Sequence, residues 1–153
     1  MYDYQDSGGA VVYQVVYFKA WHRRGLRRPD GAGGWTWGLD GVQRVLYRLL
    51  QLLAADPGAW VFITHNEKQV DALTALNLVA TCSPGGASKW RKVSNWNVLA
   101  GRKVCIIPHQ GVTGWIHADD LAARLAGKVA EVRILELPGK CKSVHEWIHK
   151  KRR

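Results

Sequence analysis

Carboxylates are scarce in this chain: 12 Asp and Glu stand against 22 Lys and Arg, a formal net charge of +10 over 153 residues. The deficit weighs against chemistry built on several hard-cation ligands, since Mg²⁺ and Ca²⁺ want carboxylate oxygen, and it favours polyanionic partners. Cysteine is scarce as well. Cys82, Cys105 and Cys141 are odd in number, widely spaced and form no C-x-x-C pair, so neither a disulfide framework nor a zinc ribbon is indicated and reduced thiols are expected. No run approaches the roughly 20 apolar residues of a membrane span. Met1-Tyr2-Asp3-Tyr4 has neither the basic n-region nor the apolar h-region of an export signal, so a cytoplasmic protein without a membrane partner is expected. Tryptophan, by contrast, is abundant, with eight residues in a composition that is 47% hydrophobic. That is enough for one well-packed core and too little chain for a multidomain enzyme.

The positive charge is clustered. His22-Arg23-Arg24-Gly25-Leu26-Arg27-Arg28, Lys89-Trp90-Arg91-Lys92 and Lys150-Lys151-Arg152-Arg153 concentrate it in three short segments. A merely basic, solvated surface is the plain alternative, and the clustering argues for a nucleic-acid partner, DNA or RNA, over it.

Tyr2–Tyr4 and Val11–Phe18 read as strands joined through Ser7-Gly8-Gly9, which supplies the positive φ a hairpin needs. A basic loop then leads through Asp30-Gly31-Ala32-Gly33-Gly34 into the short aromatic strand Trp35-Thr36-Trp37. Val42, Val45, Leu46, Leu49, Leu50 and Leu53 recur at helical spacing until Asp56-Pro57-Gly58 ends the run. Residues 1–58 are therefore read as a β-hairpin, basic loop and helix extension. Beyond them strands (59–64, 78–82, 103–107, 130–136) alternate with helices (67–76, 90–99, 115–126, 144–150), the pattern of a mostly parallel sheet with covering helices. The expected class is α/β and Rossmann-like, about four strands flanked by helices over residues 59–153.

Open α/β sheets bind ligands at the carboxyl ends of their strands. Two apolar strands here end in His65 and in His109-Gln110-Gly111, neutral or weakly basic groups where a metal site would need carboxylates. Ser83-Pro84-Gly85-Gly86-Ala87-Ser88 can bring backbone N–H groups close to phosphate, because glycine lacks Cβ, and a following helix start would add favourable dipole charge. Taken alone the loop serves equally well as a plain turn. Lys89 and Arg91 beside it raise its value.

Trp60-Val61-Phe62-Ile63-Thr64-His65-Asn66-Glu67, Leu78 to Trp90 with its Pro-Gly-Gly loop, and Val104-Cys105-Ile106-Ile107-Pro108 together resemble the Toprim domain of phage- and plasmid-type DnaG-like primases. Upstream, Arg28-Pro29-Asp30-Gly31-Ala32-Gly33-Gly34-Trp35 and Trp37-Gly38-Leu39-Asp40-Gly41 resemble the segment preceding Toprim in those replication proteins, so the likeness covers nearly the whole chain. It implies a Toprim-like sheet and departs from the family at the site. The family's Glu-Gly after the first strand, with Glu as general acid/base, falls on His65-Asn66. Its Mg²⁺-binding Asp-x-Asp falls on His109-Gln110-Gly111, and a later acidic position falls on Ser143.

Glu67 and Glu146 are the possible acidic remnants, with Glu67 better explained at a helix start. Asp119-Asp120 read as a dipole-compensating pair opening the 115–126 helix. His65 and His109, completed by His117 or His145, are a low-ranking Zn²⁺ set, and none of the three cysteines suggests a nucleophile. Trp90 and Trp96, six apart, cannot share one face of a regular helix, which leaves one for the core and one for stacking on a base. The reading that results is a degenerate Toprim domain without a Mg²⁺ cofactor. It binds nucleic acid through Arg23, Arg24, Arg27, Arg28, Gly85, Gly86, Lys89, Trp90, Arg91, Lys92, His65 and His109. Two other classes stay open: an active primase, topoisomerase-like or nuclease enzyme with a rearranged site, and a protein-interaction module of a replication or defence complex.

Overall fold

The structure, a computed structural model, describes residues 1–151. Arg152 and Arg153, half of the C-terminal basic cluster, lie outside the described residues. Two four-stranded sheets carry the fold. The first is antiparallel and runs in chain order: β1 (Tyr2–Gln5), β2 (Val11–Phe18), β3 (Arg23–Pro29) and β4 (Trp35–Trp37). The Asp6 carboxylate accepts from the backbone N–H groups of Gly8 and Ala10, closing the expected first turn.

The basic segment after β2 is a strand, not the expected loop. It pairs Gln14 with Arg27, Val15 with Leu26 and Phe18 with Arg23, and on its other edge Arg27 with Trp37. Four arginines in seven residues hide the strand pattern, because their charge reads as a solvated loop although their long stems can lie along a sheet with the guanidinium head in water.

The second sheet is parallel, in the order β6-β5-β7-β8, with β5 (Trp60–Ile63), β6 (Val79–Thr81), β7 (Lys103–Ile106) and β8 (Glu131–Ile134). The chain leaves β5 toward β6 on one side and returns to β7 on the other, so the strand order reverses between β5 and β7. Such a reversal opens a crevice at the carboxyl ends of the two strands. Helices α2 (Glu67–Thr74), α3 (Val112–Leu125) and α4 (Val144–Lys151) cover the sheet.

Several expected helices are shorter or different. Of the 42–53 pattern only α1 (Leu49–Ala54) is helical, preceded by Arg48 at φ 54°. The 90–99 helix is replaced by two 3₁₀ turns, Ala87–Lys92 and Trp96–Leu99. The apolar residues of both segments still reach the core, so burial spacing alone misread their backbone.

One core cluster lies where Tyr4, Tyr13 and Val15 of the first sheet pack with Val70 and Leu73 of α2, with Ala80 and Cys82, and with Val144 and Ile148 of α4. The other, on the opposite face of the parallel sheet, joins Val61, Ile63, Val104 and Ile106 to Leu46, Leu99 and Leu121. The first cluster runs across the 58/59 boundary, so the two sheets share an interior.

Candidate nucleic-acid interface

His65 follows β5 and His109 follows β7, and the carboxyl-end crevice brings their rings into a stack with centroids 4.6 Å apart and planes at 27°. Burial pushes the His65 pKa down to about 4, with His109, Arg24 and His117 adding positive charge against protonation. His65 is therefore neutral near pH 7. Its Nδ1 is buried and has no hydrogen-bond partner among the described residues, a costly condition for a polar atom and one that a ligand donor or acceptor would relieve.

Arg24 reaches the same place from β3. Its guanidinium donates to the Gly85 carbonyl and lies against Gly86, where a Cβ would stand 3.0 Å from a guanidinium nitrogen. Arg24, His65, Gly85, Gly86, His109 and His117 line one cleft of about 210 Å³. The expected dipole behind the Gly loop is weak, since a six-residue 3₁₀ turn follows it. The Ser83 hydroxyl instead donates to the Gly86 carbonyl and fixes the loop.

The other expected residues divide. Lys89, Arg91 and Lys92 are exposed next to the Gly loop, with Arg91 paired to Asp120 at 3.3 Å. Strand alternation sends Arg24 and Arg28 to one face of the first sheet and Arg23 and Arg27 to the other. Arg28 donates to the Gly38 carbonyl. Trp90 is not a stacking surface: it is 5% exposed and packs against Trp96 with ring centroids 4.7 Å apart. The 3₁₀ geometry brings together two rings that a regular helix would separate.

Acidic groups do not converge on the cleft. Glu67, at the first turn of α2 behind the cap Asn66, is 1% exposed. Its carboxylate accepts from the Tyr4 hydroxyl at 2.8 Å and the Tyr17 hydroxyl at 3.1 Å, and burial beside it pushes Tyr17 up to about 12. Glu146 is held by Lys150 at 2.7 Å and by the Lys142 N–H, while Ser143 accepts from the Glu146 N–H. That Ser-x-x-Glu spacing is a capping signature for α4, legible in the sequence and missed. Asp119 and Asp120 lie inside α3, which starts at Val112 rather than 115, and Asp120 binds Arg91 and Arg124 instead of facing the helix dipole.

The residues present do not fit the Mg²⁺ that the resemblance implies. By that resemblance His65, His109 and Ser143 would fall at three of its carboxylate positions, and none of them is a carboxylate. Gly111, on which the resemblance puts the fourth, has φ 110° and ψ 166°, a conformation that side chains rarely adopt. For zinc, His117 joins the His65–His109 pair at the cleft, while His145 lies 3.0 Å from His149 on α4. Among the described residues no group of three or more His, Cys, Asp or Glu has metal-binding geometry. Close by, His109 and Gln110 also border a smaller hollow of about 60 Å³ that reaches Cys141.

No family model matches the chain, and no curated protein matches it. Solved structures do. The primase fragment of the bacteriophage T7 primase-helicase superposes with a TM-score of 0.62 at 18% identity, over 97% of this chain and 56% of that one. The fold is that of DnaG-like primase domains. A bacteriophage T7 assembly of lagging-strand DNA polymerase with primase domains bound to an RNA/DNA hybrid and dTTP gives 0.60 at 19% identity, covering 99% of this chain and 70% of that one. The DnaG primase catalytic domain bound to single-stranded DNA gives 0.58 at 15%, covering 97% and 47%. The chain spans about half the length of the primase fragment it matches. The expected α/β class and parallel four-strand sheet agree with these neighbours. The expected N-terminal hairpin is present and extended to four strands. Among the described residues no helix is long and apolar enough to cross a membrane.

Proposed function

We propose that this chain is a degenerate Toprim protein that binds nucleic acid at its crevice and holds phosphate through Arg24, the Gly85-Gly86 loop and imidazole hydrogen bonds instead of through Mg²⁺. The observation that carries the reading is the stacked His65–His109 pair, with Arg24 beside it, at the two strand ends where the family resemblance expects carboxylates. Replacing acids with neutral and basic groups removes repulsion against phosphate. Lys89 and Lys92 extend the positive rim, and the net charge of +10 supplies long-range attraction. The neighbours in fold include domains bound to an RNA/DNA hybrid and to single-stranded DNA, which supports a nucleic-acid partner here.

An enzyme with a rearranged site would draw on Glu67 and Glu146, and both carboxylates are engaged elsewhere. The test is binding of labelled single- and double-stranded DNA and RNA across a salt series, with and without Mg²⁺. Salt-sensitive, Mg²⁺-indifferent binding weakened by Arg24→Ala is the expected result. Binding that requires Mg²⁺, or a metal-dependent nucleotide product, would overturn the reading.

A further inference from the structure

The outward face of the antiparallel sheet is lined by aromatic rings that no element among the described residues covers. Trp21, Trp37 and Trp35 are 69%, 56% and 40% exposed, although tryptophan is ordinarily largely buried. They form a strip. Trp21 lies 5.5 Å from Phe18, Phe18 lies 5.6 Å from Trp37, and the Arg27 guanidinium sits 5.9 Å from the Trp37 ring and 4.5 Å from that of Trp35.

The strip is built into the strands. Gly25 leaves room for Trp37 to lie on the sheet, since a Cβ there would meet the Trp37 ring at 2.7 Å and that of Phe18 at 3.3 Å. Gln14, 5% exposed, accepts from Arg27 Nε at 2.8 Å and donates to Asp3 at 2.5 Å. The guanidinium is thus fixed between the two indoles before any ligand arrives, and the Asp3 carboxylate is occupied. Lys19 and Arg23 stand exposed alongside.

We infer that this face is a second nucleic-acid site, separate from the crevice, which binds single strands by stacking bases on Trp21, Trp37 and the Arg27–Trp35 pair. Charge selects the occupant. A second copy of the chain would set Lys19, Arg23 and Arg27 against like charges, whereas a single strand offers flat rings for the indoles and phosphates for the cations. A duplex keeps its ring faces inside its own stack, so single strands are preferred over it. The site does not depend on the crevice reading, because Arg24 and Arg27 project from opposite faces of β3.

The probes are a fluorescein-labelled oligo(dT) of about 15 nucleotides, within the usual site size, and a duplex of equal length. Trp21→Ala/Trp37→Ala should weaken oligo(dT) binding by about fivefold or more per ring, with duplex binding and melting temperature little changed. Trp37→Phe, which keeps a ring, should retain most of the affinity. The inference falls if the double variant binds oligo(dT) as the parent does, if Trp37→Phe loses as much as Trp37→Ala, or if sedimentation shows a parent dimer that the double variant abolishes. Arg24→Ala separates the two readings. Loss there with none in the tryptophan variant leaves the crevice alone, and the reverse leaves the sheet face alone.

Discussion

His65 is the residue whose charge state most affects the crevice. Its pKa is about 4 in the folded protein against an ordinary 6.5, so the unfolded chain takes up a proton that the folded one refuses. This group therefore leaves stability intact above about pH 6.5, erodes it as pH falls toward about 4, and adds nothing further below. His65→Phe should flatten that part of the curve, as urea midpoints at about pH 7, 5.5 and 4.5 would show. A parent and variant that lose stability in parallel would refute the assignment. Phosphate bound beside the ring would favour its charged form, so nucleic-acid affinity should rise on acidification while the fold holds.

Gly114 makes a purely steric prediction. A Cβ there would stand 1.8 Å from the His109 carbonyl oxygen, which is backbone and has no rotamer to yield. Gly114→Ala should cost about 1–3 kcal/mol in denaturant unfolding and displace His109 from its stack. Sequence had singled out both histidines and Gly111 without any means of seeing Gly114, because a close approach between a helix and the preceding loop leaves no periodic trace.

At the scale of elements, β3 and the Ala87–Lys92 turn settle where the positive charge goes. The three expected clusters were legible, but their geometry was not: a strand divides its arginines between two faces, and a loop would not. Lys89→Ala/Arg91→Ala/Lys92→Ala should weaken binding to all sequences alike and lower the log–log salt slope by about 0.7–0.9 for each phosphate no longer neutralised. Since Arg91 already answers Asp120, the change should be nearer that expected for two phosphates than for three. An unchanged slope would take this rim out of the interface. The two central parallel strands were readable because the apolar runs Trp60–Ile63 and Val104–Ile107 differ from helical spacing, whereas β8, with Glu131 and Arg133 alternating with Val132 and Ile134, shows the period of two instead. The 3₁₀ turns were not, because Trp90, Val93 and Leu99 bury just as helical residues would.

The molecule as a whole is bound together by a buried polar interaction as well as by apolar packing. The Tyr4 hydroxyl from the first sheet meets the Glu67 carboxylate at the head of α2, within the core cluster that both sheets share. Tyr4→Phe should cost about 1–3 kcal/mol, the range for leaving a buried polar atom without its partner. Because the core is common, tryptophan fluorescence and far-ultraviolet circular dichroism should report one coincident unfolding transition. Two separated transitions would mean that the sheets fold as independent units. The division at residue 58/59 followed from a change in pattern along the chain, and pattern cannot reveal that Tyr4, Tyr13 and Val15 complete an interior begun by α2 and α4.

The three thiols differ sharply in access. Cys82 is fully enclosed, with burial holding its thiol protonated, and Cys105 is buried within β7, whereas Cys141 is half-buried at the hollow that His109 and Gln110 border. A maleimide dye applied to the folded protein would therefore attach at one position, on the rim of the crevice, with no cysteine having to be engineered in or out. Its emission would give a direct optical signal of what enters beside the histidine pair.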